Sequence, residues 1–128
     1  MKKTLILLAL SSTVIAEQST LDKFNALVMN TYQGSNEYFV NIPSKTFAED
    51  KGEQEYLNDM YFVKAMNELH KKKIYQLRLR KSQVSDSGLN VLVKFPTIKE
   101  LELSNSNITD NGIKKIDKKL GERLLIAQ

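Results

Sequence analysis

Apolar positions along this chain change their spacing several times, and each change marks an expected element. After an apolar run at Leu5 to Leu10, residues Leu21, Phe24, Leu27, Val28 and Tyr32 recur at three- and four-residue intervals. That stripe predicts an amphipathic helix over Thr20 to Gln33, with Ser19 or Thr20 as its N-cap and Asp22 in the first turn. Gln33-Gly34-Ser35-Asn36 ends it, and Tyr38 to Ile42 is rich in strand formers until Pro43. A polar loop follows from Ser44 to Glu53. Helical spacing returns from about Gln54 to Lys72 through Leu57, Met60, Met66 and Leu69. At Leu77-Arg78-Leu79-Arg80 the period drops to two, which sends both leucines to one face of a strand and both arginines to the other.

The segment Ile74 to Leu92 recurs 24 residues later as Ile98 to Ile116 without a gap. Ten positions match, among them Leu77 with Leu101, Leu79 with Leu103, Ser82 with Ser106, Val84 with Ile108, Asp86 with Asp110 and Gly88 with Gly112. In each copy a strand is followed by a turn that brings Val84 or Ile108 back to the core. Ser85 or Thr109 is then placed as an N-cap, and Asp86 or Asp110 in the first helical turn. Leu89, Leu92 and Phe95, like Ile113, Ile116 and Leu120, line one helical face. Each copy is thus a strand and a helix with a shared apolar side.

This pattern resembles the leucine-rich repeat, in its cysteine-containing or GALA-like strand-helix subtype, with serine at the asparagine or cysteine position. The resemblance covers roughly residues 74 to 120. It implies an α/β fold: a short leucine-rich-repeat solenoid of parallel strands with convex-side helices, preceded by a helical N-terminal cap. Stacked repeats expose two ends that other structure has to cover. The helix ending near Lys72 is the expected N-terminal cap. Leu124 and Ile126 fall 23 residues after Leu101 and Leu103, so the last residues are expected as a third strand whose outer edge stays open.

Composition narrows the chemistry. The 128 residues contain no cysteine, no tryptophan and one histidine. Disulfides, thiol nucleophiles, zinc-cysteine clusters and multi-histidine metal sites are excluded, and neither a cofactor nor a metal is expected. Lys2-Lys3, the apolar run and Val14-Ile15-Ala16 match the three parts of a secretory signal peptide, with cleavage expected after Ala16. The product is then periplasmic or secreted, with no integral membrane segment after cleavage. Beyond it, residues 17–53 are read as an N-terminal helix, short strand and loop, and residues 54–128 as the capping helix plus repeat unit. The formal charge of +4 hides a division: residues 17–63 hold three lysines and eight acids, and residues 64–128 hold 14 basic and seven acidic side chains.

Parallel strands in this register put Gln76 beside Glu100, Arg78 beside Glu102 and Arg80 beside Ser104. The outward side chains Tyr75, Arg78, Arg80, Glu100, Glu102 and Ser104 are therefore the expected partner-binding surface. The edge strand Leu124, Leu125 and Ile126 is the expected point of self-association or of strand addition by a partner. No catalytic set emerges. The expected function is an exported leucine-rich-repeat module binding another protein, acidic or a toxin or enzyme, as a stoichiometric inhibitor or immunity protein. Nucleic acid is not expected, for want of a stacking aromatic series. The alternative is a small envelope hydrolase using the acidic cluster Glu49, Asp50, Glu53, Glu55 and Asp59.

Overall fold

The computed structural model describes residues 18–46, 54–104 and 107–127. The expected signal peptide at residues 1–16 lies outside the described residues, as do Glu49, Asp50 and Glu53 of the acidic cluster and Ser106 of the second repeat. The fold is α/β: a five-stranded, mostly parallel sheet with helices packed on one side. Helix α1 spans Thr20–Lys23, strand β1 Leu27–Asn30, β2 Glu37–Ile42, helix α2 Asp59–Glu68 and β3 Lys73–Leu79. Helix α3 covers Asp86–Leu89 and runs into a 3₁₀ helix at Asn90–Lys94, followed by β4 Glu100–Glu102, α4 Asp110–Lys119 and β5 Leu125–Ala127. The spatial order is β1-β2-β3-β4-β5; β1 is antiparallel to β2 and every other pair is parallel. No helix among the described residues is long and apolar enough to cross a membrane.

Alternation along the strands builds the core. Val40 and Ile42 of β2, Leu77 and Leu79 of β3, and Leu101 and Leu103 on and beside β4 turn to the helical side and are buried. They meet Phe62, Ala65 and Met66 of α2, Leu89 and Leu92 of the middle segment, and Ile113 and Ile116 of α4. Removing this apolar area from water is the main stabilising contribution, at roughly 25 cal/mol per Å².

Three expectations need correction. The helix predicted over Thr20 to Gln33 is only Thr20–Lys23, capped by the Ser19 hydroxyl, which accepts the Asp22 N–H at 3.0 Å. Asn25 takes a left-handed backbone, with φ of 54°, and ends it. Leu27 to Asn30 then pair with Asn41 to Tyr38 as a hairpin. Gln33-Gly34-Ser35-Asn36 is part of that hairpin's turn, where Gly34 has φ of 86°. A stripe at positions 27, 28 and 32 is compatible with either period over so short a stretch, and pairing with β2 decides it. The second helix is also shorter than Gln54 to Lys72. It starts at Asp59, where the Asn58 side chain caps the Tyr61 N–H at 3.0 Å, and its inward stripe is Phe62, Ala65, Met66 and Leu69 while Met60 is exposed. The last strand forms, but Ile126 rather than Leu124 stands beside Leu101. A slip of two residues keeps the same side chains facing inward, so the pattern alone does not separate the two registers.

Turns stack beside the sheet. The Gln83 N–H donates to the Leu57 carbonyl at 2.8 Å, and the Asn107 N–H donates to the Val84 carbonyl at 3.2 Å. Leu57, Val84 and Ile108 are thus equivalent positions, and Asn58-Asp59 corresponds to Ser85-Asp86 and Thr109-Asp110. Residues Val40 to Ala65 form a first strand-helix unit ahead of the two visible in the sequence.

Candidate functional site

The side of the sheet away from the helices is uncovered among the described residues. Two rows of side chains cross it. One runs Leu27, Asn41, Arg78, Glu102 and Ala127, and the other Met29, Phe39, Gln76, Glu100 and Leu125. The centre is charged and the two rims are apolar: Leu27 and Met29 on β1 are each 49% exposed and Leu125 on β5 is 68% exposed.

At the centre one carboxylate joins two arginines. Arg78 Nε donates to Glu102 Oε1 at 2.9 Å, and Arg80 Nε donates to Glu102 Oε2 at 2.5 Å. The strand period places Arg78 and Arg80 on the same face two residues apart, and the parallel register sets Glu102 directly beside Arg78. The hydrogen bond from Arg80, reinforced by the charge of Arg78, holds the Glu102 carboxyl below the usual carboxylate range. Both guanidinium groups keep terminal N–H donors beyond the bonded Nε, and Arg80 is 57% exposed. Arg78 also lies over the Phe39 ring, 5.3 Å from its centroid.

Tyr75 enters this face through an irregularity. Tyr38 pairs with Ile74 and Phe39 with Gln76, so Tyr75 is an extra residue in β3, a β-bulge that re-aims its side chain. Lys99 lies over its ring at 5.8 Å, and the Glu100 carboxylate pushes its phenol above the usual range. Of the six expected face residues, Arg78, Arg80 and Glu102 form one bonded cluster, and Tyr75 and Glu100 a second pair beside it. Arg80 is not held by Ser104; that residue's carbonyl accepts the Lys81 N–H at 2.7 Å.

Of the expected edge residues, Leu124 and Ile126 pack partly against the core and only Leu125 is fully turned outward. The apolar rim on β1 was not legible in the sequence. Its signal is the alternation Leu27-Val28-Met29, which becomes visible once the hairpin is recognised.

The two described members of the acidic cluster are engaged elsewhere. Glu55 accepts Lys23 Nζ at 2.6 Å and the Tyr61 hydroxyl, and Lys23 holds its carboxyl below the usual range. Lys23 also lies 4.8 Å from the Tyr61 ring centroid, and Phe24 meets that ring edge-on at 5.2 Å, so the group fastens α1 to α2. Asp59 accepts the Ser85 N–H at 2.7 Å and the Ser85 hydroxyl at 2.5 Å. No group of three potential metal-ligating side chains occurs among the described residues. His70 is exposed and bonds the Asn67 carbonyl through Nδ1 at 2.9 Å.

No protein-family model matches the sequence, and comparison with curated proteins finds no match either.

Proposed function

We propose that this chain is an exported leucine-rich-repeat module, periplasmic or secreted, that binds another protein through the uncovered sheet face. On this reading β2 to β5 are the strands of a short solenoid whose first unit includes α2, and α1 with the antiparallel strand β1 covers its N-terminal end. The carrying observation is the Arg78–Glu102–Arg80 cluster, which presents fixed, partly unused guanidinium donors at the centre of a face with apolar rims. Arginine held in place loses little freedom on binding, and a charged centre with apolar surroundings is a common anchor arrangement. A partner with a projecting acidic segment fits it, and a stoichiometric inhibitor or immunity protein for an envelope enzyme or toxin needs no chemistry beyond such a surface.

The test compares the unaltered chain with Arg80→Glu in affinity capture from an envelope extract, followed by titration of the captured protein. The reading expects one stoichiometric partner whose affinity falls at least tenfold with Arg80→Glu while the melting temperature moves by no more than a degree or two. Equal affinity for both forms would remove the sheet face from the function. The alternative, a hydrolase using Glu53 with Glu49, Asp50, Glu55 and Asp59, expects turnover that is abolished by Glu53→Gln.

A further inference from the structure

Because β3, β4 and β5 are parallel neighbours, the three connections leading into them lie along one edge of the sheet. That edge is strongly cationic. The connection from Glu68 to Lys73 carries Lys71, Lys72 and Lys73, the one from Lys94 to Glu100 carries Lys94 and Lys99, and the one from Lys119 to Leu125 carries Lys119 and Arg123. Each holds a single carboxylate, at Glu68, Glu100 and Glu122, so seven cations face three anions. Glu68 is committed as well: it accepts the N–H groups of Thr20 and Leu21 at 2.8 and 3.0 Å. The connections leaving β3 and β4 at the opposite edge carry only Arg80 and Lys81, against Asp86, Glu102 and Asp110. Charge is therefore polarised across the width of the sheet.

None of the three salt bridges among the described residues uses any of the seven cations. Lys72 instead lies over the Tyr38 ring at 4.5 Å, beside a hollow of about 350 Å³ that Asn36, His70 and Lys71 help to line. An apolar point sits in the middle of the edge, where Val93 is 45% exposed next to Lys94 and Pro96 is exposed in the same connection.

We infer that this edge docks the protein on an anionic phospholipid surface, with the lysines over the headgroups and Val93 and Pro96 at the acyl boundary. The chemistry selects this occupant. Six of the seven cations are lysines, hydrated point charges suited to a diffuse anionic field, whereas the arginines with fork geometry stand on the sheet face. Apolar side chains flanked by lysines match the layered polarity of a bilayer interface. A single-stranded nucleic acid would need a series of exposed aromatic platforms, whereas Tyr38 and Tyr75 each carry a lysine over the ring and Tyr32, exposed in the hairpin turn, makes no series by itself. Docking by this edge leaves the Arg78–Glu102–Arg80 cluster free, so it does not depend on the proposed protein partner.

Sedimentation of the full chain with mixed phosphatidylglycerol/phosphatidylcholine vesicles, against pure phosphatidylcholine vesicles, tests the inference at low and high salt. Preferential binding to the anionic vesicles, lost at high salt, is expected. K71Q/K72Q/K73Q should weaken that binding on the order of a hundredfold, at about fivefold per lysine, with an unchanged far-ultraviolet spectrum. Lys81→Gln, on the opposite edge, should leave it unchanged. Equal partitioning into both vesicle types, or an unaltered triple variant, would overturn the inference. So would equally tight binding to duplex DNA at the same salt, which would replace the lipid by any polyanion.

Discussion

The Asp86 carboxylate holds Thr109 by two hydrogen bonds, from the backbone N–H at 2.8 Å and from the hydroxyl at 2.6 Å, across 23 residues of chain. Asp59 holds Ser85 in the same way one unit earlier. The aspartates at the starts of α2 and α3 therefore fix the first turn of the next unit, in addition to any favourable interaction with their own helix dipoles. Thr109 is used twice, since its hydroxyl also accepts the Gly112 N–H at 3.1 Å as an N-cap, while Ser85 makes no such cap bond.

These bonds set the first prediction. Hydrogen bonds to a charged acceptor contribute about 1.5–3 kcal/mol when shielded and less when wet. The Asp59 pair is part-buried and the Asp86 pair exposed. Thermal unfolding should show Asp59→Ala costing about 2–3 kcal/mol and Asp86→Ala about 1 kcal/mol, with roughly 5 °C lost per kcal/mol in a domain of this size. A reversed order would mean that the ladder does not carry the stacking.

The glycine of each repeat follows from the same aspartates. A Cβ on Gly88 would stand 2.5 Å from Asp59 Oδ1 and 3.1 Å from Val84 Cγ1, and one on Gly112 would collide with the Asp86 carboxylate. Gly88→Ala should displace the Asp59 side chain, break its bonds to Ser85 and cost about 1–3 kcal/mol as overpacking. Once Asp59 is alanine the carboxylate no longer blocks the Cβ and only the 3.1 Å approach to Val84 Cγ1 remains, which a shift of a few tenths of an ångström relieves, while a helical alanine is favoured over glycine by about 0.5–1 kcal/mol. The cost of Gly88→Ala in the Asp59→Ala background should then fall to near zero or change sign. An equal cost in both backgrounds would detach the glycine from the aspartate.

Much of this fold was legible because the second and third units keep a fixed offset of 24, which aligned Leu77 with Leu101 and Arg78 with Glu102 before any coordinates. The first unit was hidden by an insertion. Seven residues separate Leu77 from Val84, but 17 separate Val40 from Leu57, so no single offset aligns Val40 and Asn58-Asp59 with their counterparts. The hairpin was hidden because Leu27, Val28 and Tyr32 satisfy a helical stripe, and only pairing with Phe39 and Asn41 shows the alternation of Leu27 and Met29. At the site, the Arg78–Glu102 pair follows from register, whereas the diagonal reach of Arg80 to the same carboxylate depends on side-chain length and has no sequence signature.

Acid titration addresses that cluster. Glu102 has a folded-state pKa below its unfolded value, so its contribution to stability is present above the unfolded value, near 4.5, and is lost as pH falls through the lower folded one. Because the side chain is partly in water, the contribution is below about 1 kcal/mol. Glu102→Gln should be slightly destabilised at pH 7, with its stability profile converging on that of the unaltered chain at the acid end of this window. A constant gap between the two profiles down to pH 2 would show that the arginines do not act through the ionised carboxylate.

Assembly through the last strand makes a prediction about single backbone groups. The Leu125 N–H donates to the Lys99 carbonyl and the Ala127 carbonyl accepts the Leu103 N–H, both at 2.8 Å. In a parallel ladder the intervening residue then directs its N–H and carbonyl the other way, so Ile126 offers the open pair at the free edge. The β1 strand stands at the opposite edge and cannot cover it. Ile126→Pro removes the outward donor and leaves the bonds to β4, because proline is tolerated where the N–H faces solvent. If the edge mediates self-association, mass in solution should rise with concentration for the unaltered chain and stay monomeric for Ile126→Pro, with circular dichroism confirming a folded variant. Monomers for both at every concentration would rule out self-association and leave this edge to a strand from a partner.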